Sequence, residues 1–326
     1  MCRVRDVCVI GLGLIGGSLL RAAAGKRTVW GATLSEADAG AARADGFDCG
    51  TDLDAALRRA AERDALIVLA VPLTALDETL HHVAEQAPEC LLTDVTSVKG
   101  PVLRAVRRWA PDTRFVGGHP MAGKAESGWS AGTAGLFDGA AWVVGVEPGT
   151  DLGDWAEVAA LALEAGAHVV PAGAAAHDEA VARVSHLPHL LAAVLSAVAA
   201  EGGPLAAALA AGSYADGTRV AGSRPALVRA MTEGNREALL PVLDDALGRL
   251  GAARGSLAST GGLAVTINAG HEGKQTFAQA REAQRTGVRI DLTAPDAVEA
   301  LAALGERGGR ITALTDELRT ATGEVS

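Results

Sequence analysis

Val7-Cys8-Val9-Ile10 running into Gly11-Leu12-Gly13-Leu14-Ile15-Gly16 is the stretch that decides the fold. Four apolar residues read as a buried strand, and the glycine run opens a helical pattern that reaches about Ala24. A second strand begins near Thr28, so strand, glycine turn, helix and strand fall within the roughly 30 residues of a dinucleotide-binding βαβ unit. Gly11 permits the tight turn, Gly13 lets a pyrophosphate approach the backbone, and Gly16 lets helix and strand pack closely. The helix then turns its positive end toward the phosphates. Leu14 and Ile15, between these glycines, are expected cofactor contacts, as is Val71 at the end of a later strand. An acidic residue closing the second strand would bind the ribose 2′-OH of NAD. By spacing that position is Ala32 or Thr33, and neither is acidic. Thr33 and Ser35 can hydrogen-bond a 2′-phosphate, but no arginine stands beside them, while Glu36 and Asp38 fall in the next helix. Both NAD and NADP stay open, with Thr33 the expected ribose contact.

Outward from this unit, residues 6–171 alternate short apolar strands with amphipathic stretches at 35–45, 52–63 and 73–87. Leu66-Ile67-Val68-Leu69-Ala70-Val71 is apolar at every position, as a parallel strand covered on both faces must be. The pattern predicts one doubly wound α/β sheet through residue 171. After Pro171 the character changes: residues 177–250 carry helical patterns and no convincing strand. The stretch 190–200 is apolar almost all round, which predicts buried helices and more apolar surface than a single layer covers, hence a homodimer interface. Residues 272–285 read as an exposed helix, and 288–292, 296–304 and 310–314 as a small strand-helix-strand unit. The expected organisation is a Rossmann-like α/β domain over 1–171, an all-α domain for substrate and dimerisation over 172–286, and a C-terminal extension over 287–326.

Composition excludes several classes. A chain of 326 residues, 49% hydrophobic and 21% charged, can bury a sizeable core and is not disordered. No uninterrupted apolar run reaches the roughly 18 residues of a membrane span, and no signal-peptide pattern opens the chain, so neither membrane insertion nor export is expected. Lys plus Arg number 29 against 39 Asp plus Glu, a net charge of −10 that disfavours nucleic acid. The four cysteines, Cys2, Cys8, Cys49 and Cys90, form no CxxC, which predicts reduced thiols and a cytoplasmic protein.

Four segments outside the glycine run carry chemistry. Asp94-Val95-Thr96-Ser97-Val98-Lys99-Gly100 follows a strand at the carboxyl edge of the sheet, where such folds bind ligands; alone it also reads as a helix cap. Gly117-Gly118-His119-Pro120-Met121-Ala122-Gly123 follows the next strand. A histidine there suits proton removal from an alcohol during hydride transfer, although a single His more often holds a loop. In His186-Leu187-Pro188-His189 the two histidines lie on one helix face, and Pro188 must disturb that helix. No further ligand neighbours the pair, so no metal is expected. Arg219, in Tyr214-Ala215-Asp216-Gly217-Thr218-Arg219-Val220, is suited to a carboxylate, against the plainer reading of a surface salt bridge.

Taken together the chain resembles the prephenate/arogenate dehydrogenase family of tyrosine biosynthesis. The likeness runs in order through GLGLIGGS (11–18), DVTSVKG (94–100), GHPMAGKAESG (118–128), LFDGAAW (136–142), SHLPH (185–189), DGTRVAGS (216–223) and NREALL (235–240). The HPMAG, SHLPH and TRVA segments are the specific ones. The resemblance implies an N-terminal nucleotide-binding domain and a helical C-terminal domain that makes the dimer. It implies His119 as the catalytic base, Ser97 orienting nicotinamide and substrate, His186 and Arg219 as substrate contacts, and Arg219 on a substrate carboxylate. The implied reaction is oxidative decarboxylation of prephenate to 4-hydroxyphenylpyruvate with hydride transfer to NAD(P)+. Thr96 stands where the family segment DVGSVKG has glycine, and Ala226-Leu227-Val228 stand where many members carry an aromatic residue. That second departure keeps arogenate or an amino-deoxy analogue open as substrate. A dinucleotide-sensing protein without turnover is the reading from another class, which His119 and Arg219 oppose. A β-hydroxyacid dehydrogenase usually relies on a lysine in its helical domain, and residues 171–270 contain none.

Overall fold

A computed structural model describes residues 4–124 and 126–326; Cys2 and Ala125, the latter within GHPMAGKAESG, lie outside the described residues. The chain divides into two compact units, one formed by residues up to Asp178 with Gly287–Val325, the other by Glu179–Thr286.

In the first unit six strands make a parallel sheet: β1 (Val7–Ile10), β2 (Val29–Ala32), β3 (Cys49–Gly50), β4 (Leu66–Leu69), β5 (Leu91–Asp94) and β6 (Arg114–Phe115), in the order β3-β2-β1-β4-β5-β6. Helices α1 (Leu14–Ala23), α2 (Glu36–Ala44), α3 (Leu53–Arg63), α4 (Leu76–Gln86) and α5 (Gly100–Trp109) alternate with them. Every residue of β1, β4 and β5 is buried, as continuous apolar strands require when helices cover both faces. Ser35 caps α2 by accepting the Asp38 N–H, and Asp52 caps α3 by accepting that of Ala55, so polar residues after β2 and β3 start the helices.

The strands after residue 117 do not continue this sheet, contrary to the single sheet predicted from the sequence. They form a second one: β7 (Gly118–Pro120), β8 (Ala141–Gly145) and β9 (His168–Ala172), joined by β10 (Thr286–Asp291), β11 (Arg310–Thr315) and β12 (Thr320–Val325) in the order β10-β12-β11-β9-β8-β7. The local cause lies at Gly118, whose N–H donates to Asp94 Oδ1 at 3.0 Å and whose Cα passes so close to β5 that a side chain would overlap the Asp94 carbonyl. The chain crosses the end of β5 and pairs antiparallel with β8. Helices α6 (Leu152–Glu164) and, after β10, the one at Ala297–Glu306 pack in this half, and one hydrophobic core runs through both sheets, including Leu19, Trp142, Trp155, Leu301 and Ile311. The stretch read as a C-terminal extension thus supplies three strands of the second sheet.

The second unit is helical. α7 (Ala174–Val181) begins in the first unit and passes through a π-helical turn, Ala182–His186, into α8 (Leu187–Ala200). α9 (Gly203–Leu209), α10 (Gly212–Thr218), α11 (Pro225–Gly234), α12 (Arg236–Ser259) and α13 (Ala264–Glu282) follow, and the helix at Ala297–Glu306 is α14. Pro188 lacks the N–H that a regular helix would need, and the widened turn just before it absorbs the misfit. The helices predicted to be buried are not buried within one chain: in α8 only Ala192 is, and Val194 and Val198 are 60% and 63% exposed. The unit's small buried cluster comprises Ala182, Leu239 and Val242. The apolar cover that these helices call for is not supplied by their own chain. By length and composition alone the run Ala174–Ala200 is also long and apolar enough to cross a membrane.

Candidate active site

The glycine run adopts the geometry that its sequence demands. Gly11 has φ +99°, and a Cβ there would overlap the carbonyl of Ala70 beyond β4. A Cβ on Gly16 would collide with the carbonyl of Gly11, so the turn closes only with glycine at both positions. Gly13, at the N-cap of α1, faces open space, which leaves its backbone approachable. Beside this turn a cavity of about 340 Å³ opens at the carboxyl ends of β1, β2 and β4, lined by Gly11, Thr33, Leu34 and Val71 among others. These features fit a dinucleotide: a tight turn, an open N–H face and a pocket next to it.

The acids that the sequence reading considered for the ribose face elsewhere. Glu36 pairs with Arg43, and Asp38 accepts the Trp129 N–H at 2.8 Å. Three other carboxylates line the cavity: Asp52, Asp54 and Glu78, and among the described residues lining it there is no lysine or arginine. Asp54 holds His82 Nδ1 at 2.7 Å. The Thr33 N–H donates to the Gly50 carbonyl, and its hydroxyl accepts the Ser35 N–H at 3.4 Å.

The loop bearing Ser97 and the strand bearing His119 are tied together by a buried ion pair. Lys99 Nζ, 4% exposed in its side chain, pairs with Asp94 Oδ2 and donates to the Gly118 carbonyl at 2.5 Å. Asp94 also accepts the N–H of Thr96 and, through its other oxygen, that of Gly118, each at 3.0 Å. The Thr96 hydroxyl joins the same carboxylate and receives Lys99 Nζ at 3.3 Å, so the residue replacing the family glycine adds a hydroxyl to the network. Burial pushes the Lys99 ammonium below its ordinary pKa, while Asp94 and Asp178 pull it back. Truncating either partner would strand a buried charge. Ser97 itself is half-buried in this loop.

His119 sits in β7 opposite Val143, half-buried. Its Nδ1 lies 2.8 Å from His177 Nε2, and His177 Nδ1 lies 2.7 Å from Asp178 Oδ1. Asp178 in turn accepts the backbone N–H groups of Lys99 and Gly100, both at 2.8 Å, at the start of α5. Burial opposes ionisation of Asp178, but the His177 bond and the two N–H groups outweigh it and hold the carboxyl below its usual range. Neither His177 nor Asp178 was singled out from the sequence; the adjacent His-Asp pair in a helix gave no spacing signal.

In the second unit His186 is fully buried, and Asn235 Nδ2 lies 3.0 Å from its Nδ1. An amide nitrogen only donates, so His186 Nδ1 accepts and the ring proton sits on Nε2. Asn235 opens the NREALL segment but carried no expected role. His189 Nδ1 bonds the Ser185 carbonyl within the π-helical turn, which gives it a structural task. Arg219 begins a short 3-10 turn after α10 and is exposed, and no carboxylate among the described residues pairs with it.

Residues 16–171 match the family model of the prephenate dehydrogenase nucleotide-binding domain, and residues 173–260 that of the prephenate dehydrogenase dimerization domain. This chain belongs to the prephenate dehydrogenase family. Among its relatives in that family, the prephenate dehydrogenase of Bacillus subtilis is 33% identical over 75% of this chain and 68% of its own length. The cyclohexadienyl dehydrogenase of Zymomonas mobilis is 31% identical over 79% of this chain and 90% of its own. The crystal structure of a candidate prephenate dehydrogenase from Corynebacterium glutamicum is 46% identical, with a TM-score of 0.88, covering 94% of this chain and 98% of that one. Family membership makes the Rossmann-type first unit a nucleotide-binding domain and the exposed helices of the second a dimerisation domain. The structure places Gly11, Gly13, Leu14, Ile15, Gly16, Thr33, Val71, Ser97 and His119 in the first unit, and His186 and Arg219 in the second.

Proposed function

We propose that the protein is an NAD-dependent prephenate dehydrogenase that oxidatively decarboxylates prephenate to 4-hydroxyphenylpyruvate. The observation that carries this reading is His119, held by a bonded Nδ1 in a strand that the Asp94–Lys99 pair ties to the Ser97 loop. When bound, the nicotinamide supplies the hydride acceptor. Gly11, Gly13, Leu14, Ile15 and Gly16 would hold the pyrophosphate, with Thr33 at the ribose and Val71 beside it. His119 takes the proton of the carbinol hydroxyl as that carbon is oxidised. Ser97 orients the hydroxyl and the nicotinamide. Arg219 forks onto a substrate carboxylate, and His186, its Nδ1 bonded to Asn235, is the other substrate contact of the second unit. Loss of CO2 then returns its bonding pair to the ring, and aromaticity drives the step.

The choice of NAD over NADP rests on Asp52, Asp54 and Glu78 in a pocket whose described lining residues include no lysine or arginine. Carboxylates around the adenosine end repel a 2′-phosphate more than a hydroxyl. We propose a homodimer, because the exposed apolar helices of the second unit need a second copy as cover. A coupled measurement of reduced nicotinamide and released CO2 with prephenate tests the reaction. Equal yields support it; reduction without CO2, or neither product, overturns it.

A further inference from the structure

We propose that His177 and Asp178 are positioning residues that fix the proton of His119 on Nδ1 and so leave the Nε2 lone pair as the base. The inference rests on the reading of His119 as the proton acceptor and extends it to two residues outside the motif. It follows from counting donors and acceptors along the chain of bonds His119 Nδ1–His177 Nε2 and His177 Nδ1–Asp178 Oδ1, 2.8 and 2.7 Å long.

Asp178 already accepts two backbone N–H groups, and an ionised carboxylate has no proton to give. His177 Nδ1 must therefore be the donor. In a neutral imidazole the other nitrogen is then an acceptor, so His177 Nε2 carries a lone pair toward His119. His119 Nδ1 must donate to it, and the only lone pair left on His119 is at Nε2. The ring centroids lie 5.0 Å apart with the planes at 74°, a twist about the bond that an N–H···N contact of 2.8 Å allows. His177 is 3% exposed and Asp178 6%, so water does not compete for these bonds.

The arrangement also answers the charge that catalysis creates. When His119 Nε2 takes the hydroxyl proton, the imidazolium is stabilised through His177 by the Asp178 carboxylate. Other charged groups face this line. The Asp94–Lys99 pair meets β7 at Gly118, Arg104 lies over Gly100 beside Asp178, and Glu147 caps the first turn of α7 at Ala174. None of these stands between the rings of His119 and His177.

The test uses the full-length protein. In His177→Leu, kcat for prephenate should fall about 10- to 100-fold, the usual cost of removing such a support. The acidic limb of kcat/KM should move to lower pH, because a carboxylate that stabilised the protonated ring no longer reaches it. Cofactor Kd should stay unchanged. His177→Gln, whose amide oxygen can still accept from His119 Nδ1, should regain part of kcat but keep the lowered limb. A folded His177→Leu within twofold of wild type with an unmoved limb overturns the proposal. Nitrogen-15 chemical shifts of the wild-type histidines give a second reading that needs neither folding of a variant nor turnover. Protonated Nδ1 on both His119 and His177 at neutral pH supports the relay, and a protonated Nε2 on His119 overturns it. Should wild type fail to turn over prephenate, the assigned reaction falls while the nitrogen shifts still decide the relay.

Discussion

The two units differ in what each can satisfy by itself. The first buries Trp30, Trp129, Trp142 and Trp155 in its own core and holds Asp178 with two backbone N–H groups of the same unit. The second leaves Val194, Val198, Leu205 and Leu209 60% exposed or more, and its Arg219 exposed as well. Large apolar side chains left this exposed call for a partner surface. The nucleotide-binding unit has a core of its own, whereas the dimerisation unit depends on something outside the chain for its apolar cover.

Variants can break that division, beginning with the largest expected effect. His119→Ala should lower kcat about 10²- to 10⁴-fold, the range for loss of a general base, while cofactor Kd and the dimer stay intact. Steady-state kinetics with a binding titration checks this, and a variant keeping half of kcat would remove His119 as base. In wild type kcat/KM should fall toward acid pH, because only neutral imidazole accepts the proton. Val198→Glu, which sets a charge on the exposed apolar face of α8, should weaken self-association about 100-fold or more. Light scattering over a dilution series reads the shift, and an unaltered profile would place the interface elsewhere.

Arg219→Ala should reduce kcat/KM roughly 10- to 150-fold, since hydrogen bonds to charged groups contribute about 1.5–3 kcal/mol. Lysine should restore only part, keeping the charge but not the fork. A loss below threefold would make Arg219 a surface residue and nothing more. Thr33→Asp should raise NAD over NADP selectivity by about tenfold, adding a fourth carboxylate to the pocket that already holds Asp52, Asp54 and Glu78. Unchanged selectivity would mean that the ribose is read by those three alone. The smallest effect concerns the thiols. Burial pushes Cys49 and Cys90 up to about 11 and Cys8 higher still. Peptide mapping after alkylation near neutral pH should find these three unmodified in the folded protein and modified after denaturation.

Much of the first unit was legible because its signals are local. The strand and glycine run at residues 7–16 specify their turn within a few residues, and β4 is apolar without interruption. The break into two sheets was not legible, because it depends on the close approach of Gly118 to Asp94, residues 24 apart in sequence. The strands near 288 and 310 could be read as strands, but their place beside β9 comes from long-range pairing such as Ile311 with Val169. His119 was marked by its motif, whereas His177 gains meaning only when the fold brings it to His119 across 58 residues. The apolar helices are legible as needing more cover than one layer gives, and α8 buries only Ala192 within its own chain, since hydrophobic pattern tells that a face needs cover and not the packing that supplies it.

The proposed reaction is oxidative decarboxylation of prephenate with NAD. A steady-state comparison of prephenate and arogenate, each with NAD and with NADP, tests it most directly. The highest kcat/KM should be for prephenate with NAD, with 4-hydroxyphenylpyruvate and CO2 formed in equal amounts. Preference for arogenate or for NADP, or no turnover of either substrate, would contradict it.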